Sequence, residues 1–143
     1  MTDRAPRPLL VNPQELGAPH GFSHGVLAPP GARLLFVAGQ VGWDGEQHLG
    51  AGGFAAQFER ALGNVLAVVR AAGGGVESLC RLTIYVTDTE SYRRSLKAVG
   101  EAYRRVLGRH FPAMALVEVA GLLEPGAEVE IEATAAISME IRE

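Results

Sequence analysis

Val129-Glu130-Ile131-Glu132-Ala133-Thr134-Ala135-Ala136-Ile137, the stretch VEIEATAAI at 129–137, alternates with a period of two. Successive side chains of an extended chain point to opposite faces. Val129, Ile131, Ala133, Ala135 and Ile137 therefore share one face, and Glu130, Glu132 and Thr134, with Glu128 just ahead, share the other. The pattern predicts a strand with one side against an apolar layer and the other carrying acids. Something else in the chain must supply that layer.

Two segments have the period for it. Phe54, Phe58, Ala61, Leu62, Val65, Val68, Val69 and Ala72 recur at steps of three and four, which predicts a helix with one apolar face ended by Gly73-Gly74-Gly75. Thr87 and Glu90 have capping-box spacing and predict the start of a second helix, whose stripe is Tyr92, Leu96, Val99, Tyr103 and Val106. Three more strands are expected. Leu34–Ala38, entered through Pro29-Pro30-Gly31 and left through Gly39, reads as a buried strand; Arg81–Val86 is β-branched and aromatic; Ala113–Val119 follows Pro112. Gly42, Gly45, Gly50, Gly52 and Gly53 mark a flexible loop, and Pro6, Pro8, Pro13 and Pro19 make residues 1–19 an irregular arm with at most a short extended piece. The expected fold is a single α+β domain over 1–143, with two helices on one side of the sheet. The acid-bearing face, flanked by Ala, Leu and Val of neighbouring strands, is expected to be a subunit interface.

The bulk numbers narrow the function. A chain of 143 residues that is 48% hydrophobic can bury a real core, and a net charge of −3 offers no overall field for a phosphate backbone, so nucleic acid is a disfavoured partner. The one cysteine, Cys80, stands beside a strand-like run and reads as packing rather than a reactive thiol. No run approaches the roughly 18 apolar residues of a membrane span and the opening MTDRAPRPLL lacks a signal-peptide stretch, so a soluble cytoplasmic protein is expected. His20, His24, His48 and His110 are scattered over loops without metal-ligand spacing, no phosphate-loop lysine follows the glycines, and no serine sits in a nucleophile elbow. Glu130 is the best candidate for proton chemistry, since a carboxylate on a central strand facing a cleft can be tuned by burial. The plainer reading is a solvated or salt-bridged acidic stripe of Glu128, Glu130 and Glu132.

Four passages together resemble the RidA (YjgF/YER057c/UK114) family: LLFVAGQVG at 34–42, the helix-to-strand run from Gly52 to Tyr92, FPAMALVEVAGL at 111–122, and VEIEATA at 129–135. The resemblance implies a chorismate-mutase-like α+β fold, a mixed sheet with two helices packed on one face. It also implies a homotrimer with ligand clefts between subunits, and hydrolysis of enamines and imines such as 2-aminoacrylate without cofactor or metal. In that chemistry an arginine clamps the substrate carboxylate and a glutamate handles water. Glu130 matches the glutamate. The clamp arginine is replaced by Met114 and the serine after it by Ala115; Phe22 stands for a tyrosine, Ala38 for a serine or threonine ahead of the Gly39-Gln40 pair, and Gly100 for an asparagine. A thioether neither carries charge nor donates a hydrogen bond. Losing a charged hydrogen bond costs about 1.5–3 kcal/mol, and about 1.4 kcal/mol is tenfold in rate. The expected ligand-binding positions are thus Phe22, Ala38, Gly39, Gly100, Met114 and Ala115, with Glu130 catalytic and no metal. Arg33, Arg81 or Arg109 could replace the missing clamp, and His24 could add an acid or base beside Glu130. The expected function is binding of a small apolar or weakly acidic metabolite in the inter-subunit clefts, with its hydrolysis left open. The alternatives are enamine/imine deamination of the 2-iminobutanoate/2-iminopropanoate type and endoribonuclease or translation-inhibitor activity.

Overall fold

The computed structural model describes residues 6–138. The VEIEATAAI stretch is a strand over its predicted length, β6 (Val129–Ile137), and it lies inside a four-stranded sheet. Its neighbours are β3 (Arg33–Gln40) and β4 (Leu79–Val86), both antiparallel to it, and β5 (Ala113–Glu118) runs parallel to β4 on the far edge. A parallel neighbour needs a crossover. That crossover is helical, α2 (Thr89–Arg94) followed by α3 (Leu96–Leu107). The long α1 (Phe54–Ala71) links β3 to β4.

Both long helices cover the same side of the sheet. Leu62, Val65 and Val69 of α1 and Val99, Ala102, Tyr103 and Leu107 of α3 close over Leu82, Ile84 and Val86 of β4 and Val129, Ile131 and Ala133 of β6 in one buried cluster. Each fully buried large side chain contributes about 1.5–3 kcal/mol, so this layer carries the fold's stability. The helix stop works as expected from its glycines: Gly73, at φ 92°, donates to Arg70 O and Gly74 donates to Val69 O, the paired bonds that satisfy a helix's last carbonyls.

Polar residues of α1 hold the surrounding loops. Gln57, although buried, donates to Gly126 O and accepts from the Glu128 amide, fixing the start of β6. Asn64 donates to Val41 O and Trp43 O, and Arg60 to Gly42 O, Gly50 O and Ala51 O, so the glycine-rich loop after β3 is tied down at its base.

The N-terminal arm holds one short strand, β1 (Leu9–Val11), which pairs antiparallel with β2 (Gly25–Leu27) in the segment that follows it. Just before β2, Ser23 bridges to Ala113; its amide donates to Pro112 O and its hydroxyl to Phe111 O, which fastens the arm along the start of β5.

Two expectations fail for local reasons. The segment around Leu34–Ala38 is not buried on both faces: β3 is the edge strand, Val37 packs inward, and Leu34 (59% exposed) and Phe36 (74%) face out. The second helix starts at Asp88 rather than through a Thr87–Glu90 box. The Asp88 carboxylate accepts from the Glu90 amide and the Ser91 hydroxyl, while the Thr87 amide donates to Glu128 O. It is also two helices, because Ser95 leaves helical geometry at φ −107°, ψ 12° and shifts the apolar register, leaving Leu96 54% exposed. No helix among the described residues is long and apolar enough to cross a membrane.

Candidate functional site

The uncovered face of the sheet carries the chemistry. Strand register maps it in rows: Phe36, Thr134, Arg81 and Ala113 lie abreast, then Glu132, Thr83 and Ala115, then Glu130, Tyr85 and Val117. Six polar side chains thus stand on β4 and β6 at alternate positions, bordered by apolar ones on the two edges. This is the period-two pattern of β6 extended across its neighbours.

Glu130 is half-buried at the end of this array, and its position depends on Gly39. A Cβ built on Gly39 would stand 2.8 Å from the Glu130 carboxyl carbon. Only a residue without a side chain leaves the carboxylate that space. The β3–β6 register slips between Val37 and Gln40, so the irregular turn around Ala38-Gly39 is where the edge strand folds around the acid.

Tyr85, directly opposite Glu130 on β4, reaches diagonally to donate its hydroxyl to Glu132 Oε1 at 2.6 Å. That hydrogen bond holds the phenol pKa above its ordinary value, helped by burial and by the charges of Glu132 and Glu130 and opposed by Arg81. Tyr85 therefore stays a protonated donor at neutral pH. Sequence reasoning did not single it out, although its spacing of two from Thr83 and four from Arg81 already placed all three on one face.

The predicted ligand-binding residues divide between faces. Ala38, Gly39 and Ala115 share the uncovered side with Glu130. Met114 does not: it pairs with Leu82 and packs against the helix-covered cluster. Gly100 is in α3, within the helical layer, where an added Cβ would meet only Arg104 Nη2 at 3.8 Å. Phe22 lies beyond β5 on the arm, edge-to-face with His24 at 5.2 Å. One chain alone does not assemble Phe22, Gly100, Met114 and Glu130 into a single cleft.

Of the substitute groups, Arg81 alone shares the face of Glu130. Arg33 sits at the exposed start of β3 opposite Ile137, and Arg109 is exposed after α3. His24 is occupied elsewhere, its ring nitrogen 3.1 Å from Gly17 O and its amide bonded to Asn12 Oδ1. The half-buried Cys80 thiol is pushed up by burial, which suppresses the thiolate and fits a packing role. Among the described residues no group of three His, Cys, Asp or Glu side chains is placed to hold a metal ion.

Comparison with known proteins agrees with this architecture. The sequence profile of the family Endoribonuclease L-PSP matches residues 13–137. A Homo sapiens protein named 2-iminobutanoate/2-iminopropanoate deaminase is 32% identical over 120 residues, covering 83% of this chain and 82% of its own. The Drosophila melanogaster RutC family protein UK114 is 36% identical over 104 residues, 72% of each chain. Among solved structures, the Yersinia pestis protein YyfB, a protein of unknown function of the conserved Rid family, superposes with a TM-score of 0.79 at 31% identity, covering 92% of this chain and 99% of its own. The YjgF gene product of E. coli gives 0.64 at 31%, covering 87% and 92%.

Proposed function

We propose, for a chain that belongs to the Endoribonuclease L-PSP family of RidA-type proteins, a cytoplasmic homotrimer whose inter-chain clefts bind a small imine or enamine and hydrolyse it. Its preferred substrate is less acidic and more apolar than 2-aminoacrylate. The observation that carries this reading is the Glu130 carboxylate, half-buried on the uncovered face in a space that Gly39 keeps open. Ala38 and Ala115 border the same face without polar groups, and Met114 offers no cation from either side. A second copy supplies the rest of the cleft, bringing the Phe22 and Met114 edge of one chain toward the Glu130 face of another.

The step needs only water. Glu130 takes a proton as water attacks the imine carbon, a carbinolamine forms, and the same carboxyl returns the proton to the departing amine, leaving a carbonyl compound and ammonia. No cofactor or metal enters this balance. Deamination of 2-iminobutanoate and 2-iminopropanoate is the second reading, favoured by the name of the human relative. Ribonucleolysis, suggested by the family's name, fits poorly with a face that bears Glu130 and Glu132 in a chain of net charge −3.

Imines generated in situ from an uncharged ketone and from pyruvate test the proposal with purified protein. Wild type is expected to hydrolyse the uncharged imine at least tenfold more efficiently, and Glu130→Gln to lose both reactions. Faster turnover of the pyruvate imine would favour the second reading; full activity in Glu130→Gln would remove both. Gly39→Ala is expected to lower kcat about tenfold, equivalent to about 1.4 kcal/mol of barrier, because the new methyl displaces the carboxylate.

A further inference from the structure

Glu130 has a neighbour that the hydrolytic step leaves unused. On the β3 side its carboxylate is bordered by Gly39, which has no side chain, and on β4 by Tyr85, its direct partner in register. Directly opposed side chains have Cβ atoms about 4.5–5.5 Å apart, so the phenol ring starts beside the Glu130 side chain. Its hydroxyl donates to Glu132 Oε1 at 2.6 Å, two residues farther along β6. The ring is anchored by the backbone at one end and by Glu132 at the other, and it lies across the face from the Glu130 row to the Glu132 row.

The charges around the ring share one sign. Glu130 and Glu132 stand at alternate positions of β6, and the charges of both help the phenol keep its proton. Arg81, the arginine that shares the face, starts four residues from Tyr85 on β4, about 13 Å of strand. Beside Glu130 the lining is thus an aromatic ring between two acids. That lining repels an anion and suits a small cation.

We infer that Tyr85 is a further substrate-contacting residue of the Glu130 site, and that it selects the protonated, cationic form of the imine by holding the planar C=N group against its ring. The inference rests on the hydrolytic reading above, and it asks for no open surface, because the ring borders Glu130 inside the same inter-chain cleft. An imine nitrogen is basic, and its protonated form, the iminium, is the better electrophile. Cations are attracted to a tyrosine face within about 6 Å of the ring centre. The reaction also keeps its charge throughout. Water oxygen bonds to the iminium carbon, the C=N π pair moves to nitrogen, and Glu130 takes a proton from the water. Glu130 then returns it to the carbinolamine nitrogen, the C–N bond breaks with its pair on nitrogen, and the hydroxyl proton passes to the departing ammonia. An iminium enters and an ammonium leaves, so a cation is present from start to finish.

Acetamidinium, acetamide and acetate are planar and similar in size, and they are a cation, a neutral molecule and an anion. Calorimetric titration of the full-length protein with each should show saturable binding of acetamidinium, with the other two at least about tenfold weaker. Tyr85→Leu should weaken acetamidinium about tenfold and Tyr85→Phe less than about threefold. Both variants lose the hydroxyl bond to Glu132, so their difference isolates the ring. In hydrolysis of the imine of acetone, Tyr85→Leu should raise KM about tenfold and leave kcat within about twofold, because a charge present before and during the reaction is bound uniformly. Acetamide binding as tightly as acetamidinium would overturn the inference, as would Tyr85→Leu binding acetamidinium as wild type does or losing kcat at constant KM. Tyr85-dependent acetamidinium binding by a protein that hydrolyses no imine would support the cation site and remove the hydrolytic reading. Hydrolysis lost in Glu130→Gln, with no preference for acetamidinium, would do the reverse.

Discussion

Ile131 and Glu130 are adjacent in the chain but lie on opposite faces of β6. Ile131 is fully buried between the flanking strands and the helices, whereas Glu130 looks out from the other face past a glycine. The same contrast holds for Leu82 against Thr83 and Ile84 against Tyr85 on β4. One face therefore carries stability and has little polar chemistry, and the other carries polar chemistry and contributes little apolar burial. The separation lets the uncovered side vary in its charges without unfolding the protein.

The largest expected effect tests that division directly. Ile131→Ala should destabilise the protein by about 2–5 kcal/mol, the range for emptying a fully packed aliphatic site. Glu130→Gln should stay within about 0.5 kcal/mol, as surface changes usually do. Denaturant titration at one fixed protein concentration measures both. A loss above about 1.5 kcal/mol in Glu130→Gln would mean that the acid is structural, and the two faces would no longer be distinct in role.

A smaller effect lies at a polar residue on the covered side. Gln57→Leu should cost about 1–3 kcal/mol, because the Glu128 amide and the Gly126 carbonyl both lose their partner at the start of β6. If instead the variant is as stable as wild type, the covered face tolerates apolar filling everywhere and the bonds of Gln57 are dispensable. Hydrogen exchange at Glu128 would show the same loss as faster exchange.

Residue pattern revealed the strands and the first helix because their periods are set by burial, and burial writes itself into residue type. The face of Met114 was not legible in that way. All four residues from Ala113 to Leu116 are apolar, without the polar–apolar alternation of β6, so the pairing of Met114 with Leu82 decides which of them turn inward. Strand pattern picked out Glu130 and family likeness Met114, but neither could place them on opposite sides of the sheet. The Arg81–Glu132–Tyr85 array escaped for a related reason: its members come from two strands, and their adjacency depends on register, which a linear pattern does not contain. The break at Ser95 was hidden because Leu96 continues the apolar stripe in sequence while pointing outward in space.

The start of α2 gives a more modest test on the covered side. Asp88→Ala should lose about 1 kcal/mol, within the usual 0.5–2 kcal/mol for an N-cap carboxylate or hydroxyl. Thr87→Ala should lose much less, because the Thr87 hydroxyl is not the cap. Equal losses from the two would restore the box with Glu90 that the spacing suggested.

The smallest expected effect is on the uncovered face and depends on pH. Tyr85 donates to Glu132, and its pKa is raised above the ordinary tyrosine value of about 10. A group whose folded pKa is raised contributes stability that is complete below its unfolded pKa and disappears as pH rises through the folded one. Tyr85→Phe should therefore differ from wild type by a constant small amount from neutral pH up to about pH 10. Above that the gap should narrow, as wild type loses a contribution the variant never had. Denaturation midpoints between pH 7 and 11 would reveal the convergence. A gap that widened toward alkaline pH would mean that the phenolate is better accommodated in the folded chain than in the unfolded one. The Tyr85–Glu132 bond would then not govern the titration of the phenol, and the uncovered face would be arranged by some other contact.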